Sequence, residues 1–233
     1  MPAEVWLLVL ARDPARAKSR LAGALGPANR AELALAMLED VLESARQARV
    51  GRVLVVTDSA AVRAVAARHG AAALRVRPRG TRSAARDALA AVARRGARRV
   101  AILPADLPLL RPADIVALAV RARTADVVLA PDRRRDGTNA LVLSSPLALA
   151  PRFGPSSYRR HLDAARLAGL RSRIVRRRGL AFDLDDPDDL RALLASRTQP
   201  GRHTAAVLGR LGLRSGPNDP GRQRTAPASP RAL

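Results

Sequence analysis

Residues 5–21 read Val-Trp-Leu-Leu-Val-Leu-Ala-Arg-Asp-Pro-Ala-Arg-Ala-Lys-Ser-Arg-Leu. The first six form a continuous apolar run, far short of a membrane span and of the kind buried on both faces of a parallel sheet. A basic loop follows, carrying Arg12, Lys18 and Arg20. Such a loop, at the carboxyl end of a first strand, is where α/β enzymes hold phosphates. Outward from this stretch the same alternation repeats. Residues 27–47 have helical periodicity, with Leu33, Met37, Val41 and Leu42 on one face and Pro27 near the start. Residues 53–57 are a second buried strand, and a helix follows Asp58 and Ser59. Helices are expected over about 84–95, 112–120, 156–168 and 186–195, and strands at 100–103, 127–130, 139–143 and 174–175. The pattern predicts an α/β fold, a mostly parallel sheet with helices on both faces, with ligands bound beyond the carboxyl ends of the strands.

Composition bounds the rest. A chain of 233 residues with 48% hydrophobic content is long and apolar enough for one good-sized core. From Arg197 onward Pro, Gly, Arg, Ser and Thr dominate, so we expect a domain over residues 1–196 and a mostly disordered tail over 197–233, with one helical turn near Val207 and Leu208. The absence of cysteine excludes disulfides, thiolate zinc sites and thiol nucleophiles, and agrees with a cytoplasmic setting. No apolar run approaches the ~20 residues that cross a bilayer, and Glu4 ahead of the first apolar run argues against a signal peptide, so no membrane partner is expected. The net charge of +22 invites a nucleic-acid reading, but the charge is spread along the chain and the aromatics are only Trp6, Phe153, Tyr158 and Phe182. Nucleic-acid modules concentrate charge on one face and add stacking platforms, so we expect non-specific adhesion to polyanions and no specific nucleic-acid partner.

Four constellations carry chemistry. In the first loop Lys18 is the single lysine among 42 basic residues. An ammonium is a compact point charge that enters sites too crowded for a guanidinium fork, which suits Lys18, with Arg12 and Arg20, to nucleotide phosphates. The loop is no Walker motif, because Gly-x4-Gly-Lys-Ser/Thr is absent. Second, Pro104-Ala-Asp106-Leu-Pro108 follows a strand, and a carboxylate stiffened by flanking prolines is suited to hold Mg²⁺; the alternative is a turn-forming Asp. Third, five of the 20 acids fall within residues 183–189. Asp186 precedes Pro187 and reads as an N-cap, with Asp188 and Asp189 favouring the helix dipole. Asp183 and Asp185 are left on one side of an extended segment, as metal ligands. Fourth come Asp136-Gly137-Thr138-Asn139 and Phe153-Gly154-Pro-Ser-Ser157 with His161. Gly137 would let backbone N–H groups approach an anion, Thr138 and Ser157 supply hydroxyls, and an anion could sit at the helix start at Ser156 and Ser157. Turn and helix-start residues of these types are also ordinary without a ligand.

Together these segments resemble the guanylyltransferases of coenzyme F-420 biosynthesis, which act on 2-phospho-L-lactate or phosphoenolpyruvate. The resemblance rests on Ala-Lys-Ser-Arg-Leu (17–21), Ala-Met-Leu-Glu-Asp-Val-Leu (36–42), Ala-Asp-Leu-Pro-Leu-Leu (105–110), Gly-Thr-Asn-Ala-Leu (137–141), Phe-Gly-Pro-Ser-Ser with His161, and Asp-Leu-Asp-Asp-Pro-Asp-Asp-Leu (183–190), in order. It implies a nucleotidyltransferase fold, like that of nucleotide-diphospho-sugar transferases, with GTP and Mg²⁺ as reagents. It further implies that Thr138, Gly154 and Ser157 bind the phosphorylated acid, with Asn139 and His161 as accessories. On the same ground Asp106 and one or both of Asp183 and Asp185 would bind the metal. The sequence departs from the family at Arg12, where a lysine is usual. It also departs at Ala85-Arg86-Asp87-Ala88-Leu89, where Arg86 stands in place of an asparagine of the nucleotide site. An arginine lacks an amide's paired donor and acceptor, which leaves guanine selectivity open. Three other readings stand beside this one: a related nucleotidyltransferase with another acceptor, a catalytically weakened homologue, and a basic nucleic-acid-binding protein.

Overall fold

The computed structural model describes residues 4–76 and 80–213. Seven strands form one sheet: β1 (Val5–Leu10), β2 (Val53–Thr57), β3 (Ala72–Arg75), β4 (Arg99–Pro104), β5 (Val127–Pro131), β6 (Thr138–Leu143) and β7 (Ser172–Ile174), in the spatial order β3-β2-β1-β4-β6-β5-β7. All neighbours pair in parallel except β6, which runs antiparallel to both β4 and β5. The expected α/β architecture is therefore present, with one reversed strand. Because β4 and β6 point opposite ways, the start of β6 lies beside the end of β4, and Thr138 and Asn139 come close to the loop after Pro104.

The helices are α1 (Pro27–Ala48), α2 (Ala60–Arg68), α3 (Thr81–Ala93), α4 (Pro112–Arg121), α5 (Ser157–Leu167), α6 (Arg178–Ala181), α7 (Pro187–Leu194) and α8 (Arg202–Arg210). The two-residue period of β1 divides them between the faces of the sheet. Val5, Leu7 and Val9 pack with Leu38, Val41 and Leu42 of α1 and with Ile115 and Leu118 of α4. Trp6 and Leu8 pack on the other face with Ala84, Ala85, Ala88 and Leu89 of α3 and with Ala164 and Ala165 of α5. Leu7, Leu8 and Val9 have no exposed surface. Burying each such side chain contributes about 1.5–3 kcal/mol, so the apolar run fixes both layers at once.

The domain boundary expected after residue 196 needs correction, because the packed body continues through α8. Val207 and Leu208 are buried against Leu33 and Met37 of α1 in a third core cluster that also holds Leu184, Leu190 and Leu193. Asp40 of α1 caps α8, accepting from the main-chain N–H of His203 at 3.0 Å and of Thr204 at 2.9 Å. At Gly201 an added Cβ would lie 2.1 Å from Asp40 Cγ, so only glycine allows this cap. Residues 214–233, the remainder of the expected tail, lie outside the described residues. Among the described residues no helix is long and apolar enough to cross a membrane.

Candidate active site

The loop after β1 folds as two single 3-10 turns, Pro14–Arg16 and Ser19–Leu21, joined at Lys18. Asp13 starts the first by accepting from Ala15 N–H, and fully buried Leu21 anchors the second. Lys18 takes a left-handed backbone conformation (φ 55°) at the junction, which turns its side chain inward until only 5% of it is exposed. Its ammonium lies 2.5 Å from Asp106 Oδ2 and 3.0 Å from Asp185 Oδ1.

Asp106 stands two residues beyond β4, held there because Ala105 N–H donates to Leu10 O of β1. The Asp106 carbonyl in turn accepts from Leu184 N–H at 3.2 Å, which sets the second acidic segment in register with the first. Fully buried Leu184 points into the core and leaves its neighbours Asp183 and Asp185 on the opposite side. Asp183 accepts from Asn139 Nδ2 of β6 at 3.2 Å. Burial pushes the Asp183 carboxyl up to about 6, and the negative charges of Asp106 and Asp185 add to the shift. Burial of the Lys18 ammonium works against its charge, but Asp106 and Asp185 outweigh that cost and hold its pKa above the ordinary value. Three carboxylates and one ammonium thus converge at the carboxyl end of β4.

Asp186 and Asp189 differ from these. Asp186 accepts from Asp189 N–H and Asp189 from Asp186 N–H, closing a capping box on α7. The expected N-cap at Asp186, with Asp188 and Asp189 in the first turn of α7, is present.

The second half of the site lies on β6 and α5. Thr138 Oγ1 is 3.0 Å from His161 Nδ1, and His161 Nε2 accepts from Arg152 N–H at 2.8 Å. His161 has no exposed surface and packs edge-on against Phe153. Burial lowers its pKa to about 4, with Arg152, Arg160 and Arg82 adding positive charge nearby. Ser157 is 1% exposed, and its N–H donates to Gly154 O, so these two residues meet at the start of α5. Gly154 sits at φ 114°, a conformation that other residues rarely adopt. The adjacent residues Thr138 and Asn139 join the two halves, one contacting His161 and the other Asp183.

Two expectations need revision and a third gains a partner. Gly137 N–H is not turned to an external anion, because the Asp132 carboxylate accepts from it at 2.9 Å and from Asp136 N–H at 3.0 Å. The helix start at Ser156 is likewise engaged, since Asp136 accepts from both its N–H and its hydroxyl. Lys18, expected on the nucleotide phosphates, also bridges two of the acids, a pairing the sequence did not announce. Of the other first-loop cations, exposed Arg12 donates to Thr81 Oγ1 of α3, and Arg20 is exposed with no partner among the described residues. Arg86 is exposed beside Asp87. One residue escaped sequence reasoning: Arg82 of α3 donates to Phe153 O, next to Gly154. In a chain this rich in arginine nothing singled it out.

A cavity of about 780 Å³ lined by Trp6, Arg46, Arg49, Arg52, His69 and Arg95 opens at the amino ends of β1 and β2, away from these groups. Ligands of open α/β sheets bind at the opposite, carboxyl edge, where the charged groups converge, which makes that edge the candidate site. Asp40, Glu43 and His203 also bring ligand atoms within 4.8 Å of one another. There, however, Asp40 caps α8 and Glu43 pairs with Arg202.

A family profile described as "Guanylyl transferase CofC like" matches residues 7–226. The chain is 44% identical over 193 residues to a phosphoenolpyruvate guanylyltransferase of Rubrobacter xylanophilus, covering 82% of this chain and 94% of that one. It is 41% identical over 200 residues to a 3-phospho-D-glycerate guanylyltransferase of Phenylobacterium zucineum, covering 84% and 91%. Its fold is similar to that of a Desulfovibrio desulfuricans protein assigned as a nucleotide-diphospho-sugar transferase, with a TM-score of 0.74 at 16% identity over 90% of this chain and 96% of the other. With the profile spanning nearly the whole chain, this protein is a nucleotidyltransferase of the CofC-like guanylyl transferase family.

Proposed function

We propose that the protein transfers GMP from GTP to phosphoenolpyruvate, or to the related acid 2-phospho-L-lactate, with release of pyrophosphate, as a step of coenzyme F-420 biosynthesis in the cytoplasm. The observation that carries this reading is the bridging of Asp106 and Asp185 by Lys18 at the carboxyl end of β4, with Asp183 close enough to feel both acids, in a chain of this family. An oxygen of the acid's phosphate attacks the α-phosphorus of GTP, a P–O bond forms, and the bond to the β-phosphate oxygen breaks as pyrophosphate leaves. No covalent enzyme intermediate is required, so the protein's work is positioning and charge stabilisation.

The carboxylates offer only oxygen donors, which suit a hard cation such as Mg²⁺. Asp106 and Asp185 already hold one positive charge between them, and Asp183, raised first by burial and then by those two acids, is a third carboxylate beside them. The residues therefore fit a divalent cation, held by Asp106 with Asp183 and Asp185. When bound it supplies neutralisation of the triphosphate's charge. Lys18 has three N–H donors and uses two on carboxylates, so one remains for a phosphate oxygen. Arg12 and Arg20 add positive charge at the rim of the same loop. Thr138, Gly154 and Ser157 hold the acid, and Asn139 keeps Asp183 turned toward the metal side.

The 3-phospho-D-glycerate activity named for one relative favours a second reading of the acceptor. The decisive experiment offers the purified full chain GTP and Mg²⁺ with phosphoenolpyruvate, 2-phospho-L-lactate or 3-phospho-D-glycerate in separate reactions and follows pyrophosphate. Release that depends on phosphoenolpyruvate or phospholactate supports the proposal. Release with 3-phospho-D-glycerate alone reassigns the acceptor, and release with ATP or CTP equal to that with GTP removes guanine selectivity.

A further inference from the structure

Thr138 is placed in the acid site above, and the following inference rests on that reading. A hydroxyl facing an anion helps only if it presents its hydrogen. A threonine free to rotate offers a lone pair as readily, and a lone pair repels a phosphate or carboxylate oxygen. What decides the orientation is the group behind the hydroxyl. Here that group is His161, an imidazole with no exposed surface.

The imidazole's two nitrogens are differently committed. Nε2 lies 2.8 Å from the main-chain N–H of Arg152. An amide N–H can only donate, so Nε2 is the accepting nitrogen and carries no proton. Burial keeps the ring neutral at ordinary pH, and a neutral imidazole has one N–H. That proton must be on Nδ1. The Nδ1–H therefore donates to Thr138 Oγ1 across 3.0 Å. The Ser157 carbonyl, one turn earlier on α5, also stabilises a proton on this ring. The T-shaped contact with Phe153, centroids 5.3 Å apart, holds the ring plane.

We propose that His161 is a positioning residue that makes Thr138 a hydrogen-bond donor to the acid. Arg152 N–H fixes the imidazole tautomer, Nδ1–H takes a lone pair of the Thr138 hydroxyl, and the hydroxyl hydrogen is left to point at an anionic oxygen. Thr138 Oγ1 has no other hydrogen-bond partner among the described residues. The ligand this arrangement selects is an oxygen that accepts and cannot donate, as in a carboxylate or an ionised phosphate.

Two measurements test it, one without any reliance on turnover. The chain has three histidines, so ¹⁵N-histidine labelling of the full-length protein gives three ring spin systems, with His161 identified by its loss in His161→Gln. The expected result is a neutral His161 ring protonated at Nδ1; an Nε2–H tautomer or a charged ring at pH 7.5 overturns the proposal. The second is kinetic. Gln at 161 keeps an acceptor near the Nε2 position but loses the donor at Nδ1. His161→Gln and Thr138→Val should each raise the acid's KM about tenfold or more and leave the KM for GTP within twofold, and the double variant should be no worse than the poorer single one. An unchanged acid KM in folded His161→Gln, or equal rises in both KM values, overturns it. If wild-type protein turns over none of the three acids with GTP, the functional reading fails, while the tautomer measurement still decides how the hydroxyl is polarised.

Discussion

Two acidic clusters lie on this molecule, and they have opposite fates. Around Asp40 both carboxylate oxygens accept main-chain N–H groups of α8, while neighbouring Glu43 pairs with Arg202. Among the described residues no main-chain donor satisfies the Asp106 side chain. Asp106 and Asp185 share one ammonium, and Asp183 is pushed up to about 6 first by burial and then by its two acidic neighbours. The first cluster is complete without a ligand and acts as structure. The second has, among the described residues, one ammonium bridging two of its three carboxylates and no main-chain N–H on the Asp106 side chain. Proximity of carboxylates is common to both, so it does not single out a candidate site; the capacity left open for a ligand does.

The largest effect that would sharpen this contrast is on rate. Asp106→Ala should lower pyrophosphate release on the order of a thousandfold at saturating Mg²⁺ while the melting temperature stays near wild type. Near-normal turnover in a folded variant would place the metal elsewhere. His161 extends the comparison, because like Asp40 it is buried with its polar atoms engaged. Its pKa in the folded state is about 4, against 6.5 ordinarily. Protonation is thus easier in the unfolded chain. The stability contributed by the neutral ring is fully present above pH 6.5 and is lost as pH falls towards 4, amounting to about 3 kcal/mol. Urea unfolding at pH 7.5 and pH 4.5 should show a smaller acid loss in His161→Gln than in wild type; equal slopes would refute the assignment.

Asp40→Ala should cost about 2 kcal/mol, since it removes an N-cap and leaves two N–H groups of α8 unpaired, yet the folded enzyme should turn over normally. A selective loss of rate without loss of melting temperature would erase the distinction between the clusters. Lys18→Arg should slow turnover about tenfold, or ~1.4 kcal/mol in the barrier, although it preserves the charge, because a planar fork does not fit where the ammonium bridges two carboxylates. An unchanged rate would make the Lys18 bridge a structural tie with no part in turnover. Smallest of all, Asp186→Asn should alter stability by no more than about 0.5 kcal/mol and leave rate intact, because asparagine caps a helix about as well as aspartate. Circular-dichroism melts with parallel assays separate the two readouts.

The particular residues show why some of this was legible in sequence and some was not. The runs at β1 and β4 are short, apolar and of the kind buried in parallel sheets, and Asp106 soon after one of them marked the edge of the sheet. Pro187 after Asp186 separated the capping acids from Asp183 and Asp185. The edge strand β3 escaped notice because Ala-Ala-Leu-Arg has one buried residue, Leu74, and little β-propensity. Helix α8 was read as tail because its cap, Asp40, comes from more than 160 residues away in sequence. A similar distance in sequence hid the pairing of Lys18 with Asp185, whereas Asp132, only five residues before Gly137, escaped because nothing in its type or spacing told that its carboxylate fills the turn from within. Each of these is a polar partnership made by the fold, and local periodicity carries no record of it.

The backbone of Lys18 bears on how this enzyme could be engineered. A non-glycine residue at φ 55° costs of order 1 kcal/mol that glycine or asparagine would largely recover. That recovery is opposed by the ammonium itself, because Gly or Asn at position 18 would leave Asp106 and Asp185 without the cation that bridges them. The strained backbone is held in place by the acids it serves, so a stabilisation campaign should keep residue 18 fixed and seek its gains elsewhere.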